Sequence, residues 1–214
     1  MTQEELIDIY MESVERGGEL PSSIEVLCQT NGIETADFYQ EFGSLKEIDQ
    51  TIYLLFFLQS LQLLENSANF YELTPKEKLL SFYFTFFQVL SANRPYILVS
   101  FPAEIKEIGR LDILTDLRKE FLSFAGEVFE SKINTEIPSF EKIKAKTYEE
   151  GAWAQLLFIL NFWIRDKSAD FYKTDILIEK SLKATFDIVD ITALNSMLDL
   201  GKFLFKEAFI HEDN

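Results

Sequence analysis

Residues 20–48 read LPSSIEVLCQTNGIETADFYQEFGSLKEI, and the punctuation of this stretch decides the fold. Ser22 or Ser23 stands where it can cap a short helix carrying Ile24, Leu27 and Cys28, because a serine hydroxyl accepts from the unpaired N–H groups of a first helical turn. Asn31-Gly32 stops that helix, since glycine adopts the positive φ of a tight turn at little cost. Ile33 plugs the turn, and Thr35 is placed to cap a second short helix bearing Phe38, Tyr39 and Phe42. Two short helices joined through a glycine turn outline a helix-turn-helix.

Working outward, Glu4 to Arg16 predicts a preceding helix, with Leu6, Ile7, Tyr10, Met11 and Val14 at helical spacing and Gly17-Gly18 at its end. Residues 1–45 thus form a three-helix domain. Residues 46–214 continue as a larger helical domain. A fourth helix is expected from about Lys46 to Glu65, and Thr74-Pro75-Lys76-Glu77 gives a clean start to a fifth. That fifth helix is apolar all round, from Leu79 to Leu90, and should be central. Asn93-Arg94-Pro95 breaks it, and Pro102 ends the short segment after it. Further helices are expected over Leu111 to about Ile133, Tyr148 to Arg165, a stretch capped by Thr174-Asp175, and Thr192 to Phe209.

Composition agrees with an all-α fold. The chain has 214 residues, is 47% hydrophobic and carries 21 Phe, but only eight Gly and five Pro, too few for a turn-rich β architecture. Cys28, the single cysteine, reads as a small core residue rather than part of a disulfide framework. No basic segment followed by an apolar run opens the chain, so no signal peptide is expected. The longest charge-free runs, Gln50–Leu64 and Leu79–Asn93, are fifteen residues each, shorter than the roughly 20 a membrane span requires. A cytoplasmic protein with no membrane span is the expectation.

The hairpin also resembles the DNA-binding domain of the tetracycline-repressor (TetR) family. That family's pattern runs I-A…A-G-V-S…-L-Y-x-x-F-x-S-K-E-x-L, and Ile24, Gly32, Ile33, Phe38-Tyr39, Phe42, Ser44 and Lys46-Glu47 resemble it. Leu45 departs from it, standing where the family usually has Lys, so Lys46 is displaced by one. Phe162-Trp163-Ile164-Arg165-Asp166, Lys173-Thr174-Asp175 and Ile178-Glu179-Lys180-Ser181 resemble the C-terminal domain of TetR-like proteins found in Bacteroidetes, as do Leu79 to Phe84 and Asp199 to Phe205. The resemblance implies a ligand-responsive transcriptional regulator acting as a homodimer, paired through roughly Tyr148–Arg165 and Thr174–Val189. The apolar excess on those helices suits such an interface and suits an intramolecular core equally well. It further implies that Thr35, Tyr39, Gln40 and Lys46 face DNA. A hydrophobic small molecule or lipid would lie among aromatic residues of the larger domain, with Phe84, Phe87, Tyr96, Phe101, Phe121, Trp153, Phe158 and Phe162 as candidates.

Charge pulls the other way. Residues 1–50 hold twelve acidic side chains against Arg16 and Lys46, a net of −10 within a chain total of −16. DNA affinity rests on Lys and Arg neutralising phosphates, and Glu34, Asp37 and Glu41 set a negative field on the would-be reading helix. The alternative is therefore a TetR-fold protein that has lost DNA and binds a lipid, hydrophobic ligand or protein partner; a lipid-binding coenzyme-Q biosynthesis protein with this fold is a precedent.

No enzyme is expected. The one histidine, His211, lies in the polar tail, away from any nucleophile–base pair. No Cys/His set has metal-ligand spacing, no Gly-rich phosphate loop follows a strand, and no cofactor is implied.

Overall fold

Side-chain caps fix where four of the described helices begin. The computed structural model of the chain describes residues 1–67, 69–101, 111–130 and 138–190, the last stretch with side chains over 145–187. It is all-helical, with no strand among the described residues. Helix α1 (Gln3–Gly17) opens on a capping box between Thr2 and Glu5 and closes on Gly18 at φ 69°. Helix α2 (Ile24–Asn31) is capped by Ser23, whose hydroxyl accepts from Val26 N–H, and is closed by Gly32 at φ 67°. Helix α3 (Thr35–Glu41) follows; Glu34, not Thr35, occupies its cap position, and no side chain caps it. Thr35 is already inside the first turn.

Helix α4 (Leu45–Glu65) starts on Ser44, whose hydroxyl accepts from Glu47 N–H. A single 3-10 turn, Phe70–Glu72, leads to α5 (Pro75–Ala92), where the expected capping box of Thr74 and Glu77 is present in both directions. Helix α6 (Arg94–Ser100) follows α5 almost without a break. Residues 111–114 form a 3-10 turn rather than the first turn of an α-helix, so α7 (Thr115–Phe129) begins later than its periodicity suggests. Helix α8 (Pro138–Arg165) is ten residues longer at its start than the apolar pattern indicates, because Pro138 suits a first helical turn. Helix α9 (Tyr172–Asp190) ends the described chain; the last expected helix, 192–209, lies outside the described residues. None of the helices searched is long and apolar enough to cross a membrane.

The larger part of the core is aromatic. α5 runs through the middle, packed by α4, α7 and α9, while α7 pairs with α8. Phe82 stacks on Phe86 and meets Phe57 of α4 at 5.5 Å and Phe124 of α7 at 4.9 Å between centroids. Phe121 of α7 meets Trp153 of α8 at 5.9 Å, and Phe129 stacks on Phe186 of α9 at 5.5 Å. Each fully buried ring of this kind stabilises by about 1.5–3 kcal/mol, which accounts for the surplus of Phe.

One polar site lies deep among these rings. Asp49, on the second turn of α4, is 4% exposed. Its Oδ1 accepts from Tyr10 Oη of α1 at 2.9 Å and from Tyr96 Oη of α6 at 2.5 Å. Beside it, the hydroxyls of Tyr53 and Ser100 lie 2.9 Å apart. Burial, reinforced by the Asp49 charge, pushes the Tyr96 hydroxyl well above its ordinary pKa, so it remains a donor. The tie joins the helix that carries the hairpin to two helices of the larger domain. Asp49→Ala should therefore destabilise the protein by about 3–5 kcal/mol, since it strands buried donors, whereas Tyr10→Phe or Tyr96→Phe should each cost about 1.5–3 kcal/mol; urea unfolding midpoints check both values.

Candidate functional site

The hairpin presents one face of α3 to solvent because its other face is anchored. Phe38 and Phe42 are buried, their rings 6.1 Å apart, and Ile33 N–H donates back to the Cys28 carbonyl at 2.9 Å across the turn. Asn31 secures the hairpin to α1, donating to Ser13 Oγ at 3.2 Å and accepting from Arg16 at 2.8 Å. What remains outward is Tyr39, 54% exposed, and Gln40 beside it. Thr35 is half-buried in the first turn.

Lys46 stands apart from these three. It lies in the first turn of α4, and its Nζ is 3.1 Å from Asp112 just before α7. Gln50 Nε2 donates to the Asp112 carbonyl at 2.8 Å. Both cations of the first fifty residues thus have partners within the fold, while Glu34 is exposed and Asp37 and Glu41 are half-buried around the outward face.

The eight aromatic ligand candidates do not converge on one chamber. Tyr96 is held by Asp49, and Phe121 and Trp153 pack on each other in the core. Phe101, also buried, ends α6. Phe158 and Phe162, one turn apart on α8, are 60% and 37% exposed; with Tyr172 they line an open depression of about 730 Å³ on the outer face of α8 and the α8–α9 elbow. Phe84 and Phe87 alone face a separate cleft of about 350 Å³, between α5 and that elbow, shared with Trp163 and Phe171. Among the described residues no group of three or more His, Cys, Asp or Glu is arranged to hold a metal ion.

The elbow owes its shape to Asp166. Its Oδ1 accepts from Ser168 N–H and Oγ at 2.9 and 2.7 Å, and its Oδ2 from Thr174 N–H and Oγ1 at 3.0 and 2.8 Å. Thr174, expected to cap α9, is instead a buried donor in the first turn of that helix. Burial would raise the Asp166 carboxyl, but the bonds from Ser168 and Thr174 outweigh it and hold it at about 2. Arg94 closes the other side: it donates to the carbonyls of Trp163 and Ile164 at 3.1 and 2.9 Å, and its guanidinium lies 4.4 Å over the Trp163 ring and 4.7 Å over Phe171. Neither the full Asp166 cap nor the Arg94 stack was legible, because Thr174 lies eight residues beyond Asp166 and Arg94 lies 69 and 70 residues from the carbonyls it meets.

Residues 78–204 match the model of the tetracyclin repressor-like C-terminal domain. A solved structure of a protein assigned to the TetR family of transcriptional regulators, from Syntrophomonas wolfei str. Goettingen, superposes with a TM-score of 0.60 at 14% identity, covering 87% of this chain and 94% of that one. At that identity the likeness speaks for the fold. No curated protein matches.

Asp166 also sets a pH dependence. Its carboxyl is held below the ordinary 3.8, at about 2, so its contribution is present at neutral pH and is lost as pH falls from about 4 towards 2. The linked stability is about 2 kcal/mol. Asp166→Asn should lower the urea midpoint at pH 7, and the gap to the wild type should close as pH falls below about 4.

Proposed function

The chain belongs to the tetracycline-repressor-like family, and from that premise we propose that it is a ligand-responsive, DNA-binding homodimer that regulates transcription. The observation that carries the reading is the outward pair on α3. Tyr39 and Gln40 stand side by side on the exposed face of the second hairpin helix, the element such a motif lays in a major groove. A tyrosine hydroxyl reaches phosphate, and a glutamine amide matches the edge of adenine. Thr35, in the first turn of that helix, offers a hydroxyl to a phosphate, and Lys46 supplies one phosphate contact once it parts from Asp112.

The surface of α8 and α9 supports the dimer. Phe158 and Phe162 leave an aromatic stripe exposed on α8, with Tyr172 of α9 lining the same depression. Two copies of that stripe covering each other about a twofold axis make a four-helix bundle. Each subunit then delivers one α3 to one of two half-sites.

A second reading is favoured by one observation. Residues 1–50 carry −10, and both of their cationic side chains are engaged internally. On this reading the fold keeps its dimer and its hydrophobic ligand or protein partner but no longer meets DNA.

Fluorescence anisotropy against the protein's own upstream DNA separates the two, at about 50 mM and about 150 mM salt, a range over which phosphate contacts must weaken. Saturable, salt-sensitive binding is expected, with Gln40→Ala losing about 1–3 kcal/mol of sequence discrimination. Changing Glu34, Asp37 and Glu41 together to Gln should raise affinity. No binding at the lower salt, by wild type or by that variant, passes the case to the second reading. Phe158→Glu with Phe162→Glu should convert dimer to monomer in sedimentation equilibrium without loss of helical signal.

A further inference from the structure

We propose that the cleft between α5 and the α8–α9 elbow binds a flat, apolar, uncharged molecule that carries a hydrogen-bond acceptor, and that this acceptor docks on the indole N–H of Trp163. The inference rests on the ligand-responsive reading, to which it gives a place and a chemical class.

Trp163 is fully buried, yet it lines the cleft, and its Nε1–H finds no acceptor among the described residues. A buried donor left without a partner is costly, and native folds leave few of them. The ring itself cannot turn to look for one. Arg94 covers it at 4.4 Å, Phe87 meets it at 5.8 Å and 62°, and Phe171 meets it at 5.8 Å. The donor is therefore fixed in place before anything binds, which spares a ligand the cost of ordering it.

The walls set the rest of the class. Phe84, Phe87 and Phe171 offer ring surface to a flat body, and about 350 Å³ is at the small end of pockets that hold organic ligands. Phe171 reaches the wall through backbone that L-residues seldom adopt. Asp170 and Phe171 are both left-handed, at φ 48° and 58°, in the short turn between the two helices. Strain of this kind persists where the surroundings over-determine it, and it concentrates at ligand clamps.

Charge excludes an anionic acceptor. Asp170 and Asp175 line the cleft, and no Lys or Arg does. Arg94, stacked on the Trp163 ring, donates from Nη1 and Nη2 to the Trp163 and Ile164 carbonyls. Burial, with Glu179 and Asp166 nearby, raises the Asp175 carboxyl, so the surroundings already resist negative charge. A carbonyl or ether oxygen fits where a carboxylate does not.

The test uses the full chain labelled with ¹⁵N at its two tryptophans, which gives two indole N–H signals, with Trp163→Phe to assign them. Coumarin is the probe. Indane keeps a fused-ring outline without an acceptor, and indane-2-carboxylate adds a negative charge. Coumarin should move the Trp163 proton downfield in a saturable manner and leave Trp153 in place. Indane should bind about tenfold more weakly, the size of one lost hydrogen bond to a buried donor, and the carboxylate more weakly still. Ser91→Met, which fills the cleft from a half-buried position on α5, should abolish the shift. The proposal is overturned if coumarin leaves the Trp163 signal in place, if indane binds as well as coumarin, or if Ser91→Met changes nothing. DNA is absent from these titrations, so failure of the regulator reading and failure of this site register in different measurements.

Discussion

A carboxylate buried among aromatic rings has to be met by donors, and Asp49 is met by Tyr10 and Tyr96 from two other helices. An unpaired charge at that depth would cost several kcal/mol, so α1, α4 and α6 are obliged to converge there. The apolar packing around it is compatible with many small sliding motions; the two hydroxyl bonds are not. T-shaped contacts of Tyr10 and Phe56 on Tyr96 hold the rings that carry the donors. From this point α1 leads by the Ser13–Asn31–Arg16 bonds to the hairpin, and α6 leads by Arg94 to the end of α8. These hydrogen bonds link the end of α8, through α6, α4 and α1, to α2.

That geometry sits uneasily with the electrostatics, and the tension is physical. Regulators of this type gain most of their affinity from phosphates, yet here the hairpin domain is strongly acidic and its Lys46 is paired with Asp112. Exposed ion pairs are worth little, so the Lys46–Asp112 pair is easily exchanged for a phosphate. The carboxylates of Glu34, Asp37 and Glu41 are not so easily moved aside, because α3 is pinned by Phe38 and Phe42.

Much of the fold was legible because helix punctuation is local. Thr74-Pro75-Glu77, Asn31-Gly32 and the Phe38/Phe42 spacing each act within a few residues, and the structure uses them as read. The misplacements share a cause. Thr35 and Thr174 are good capping residues by type, but Glu34 and the distant Asp166 hold the positions that matter. Asp49 was one of twelve acidic residues in its segment, and nothing local distinguishes it from solvated ones; its burial depends on Tyr96, 47 positions away. The aromatic ligand candidates scattered for a related reason. Ring composition says that a residue prefers the interior, while the cleft at Phe84 and Phe87 exists only because a left-handed turn brings Phe171 opposite them.

Amide hydrogen exchange on the full chain, wild type against Asp49→Asn, tests the role of that junction most directly. Substituting the amide keeps the shape and removes the charge that holds both tyrosines. Exchange should quicken together in α1 and α6, with α7 and the middle of α8 unchanged, as expected when a tie between two locally stable units is cut. Uniform quickening across every helix, or none in α1, would contradict the view that Asp49 ties α1 to α4 and α6.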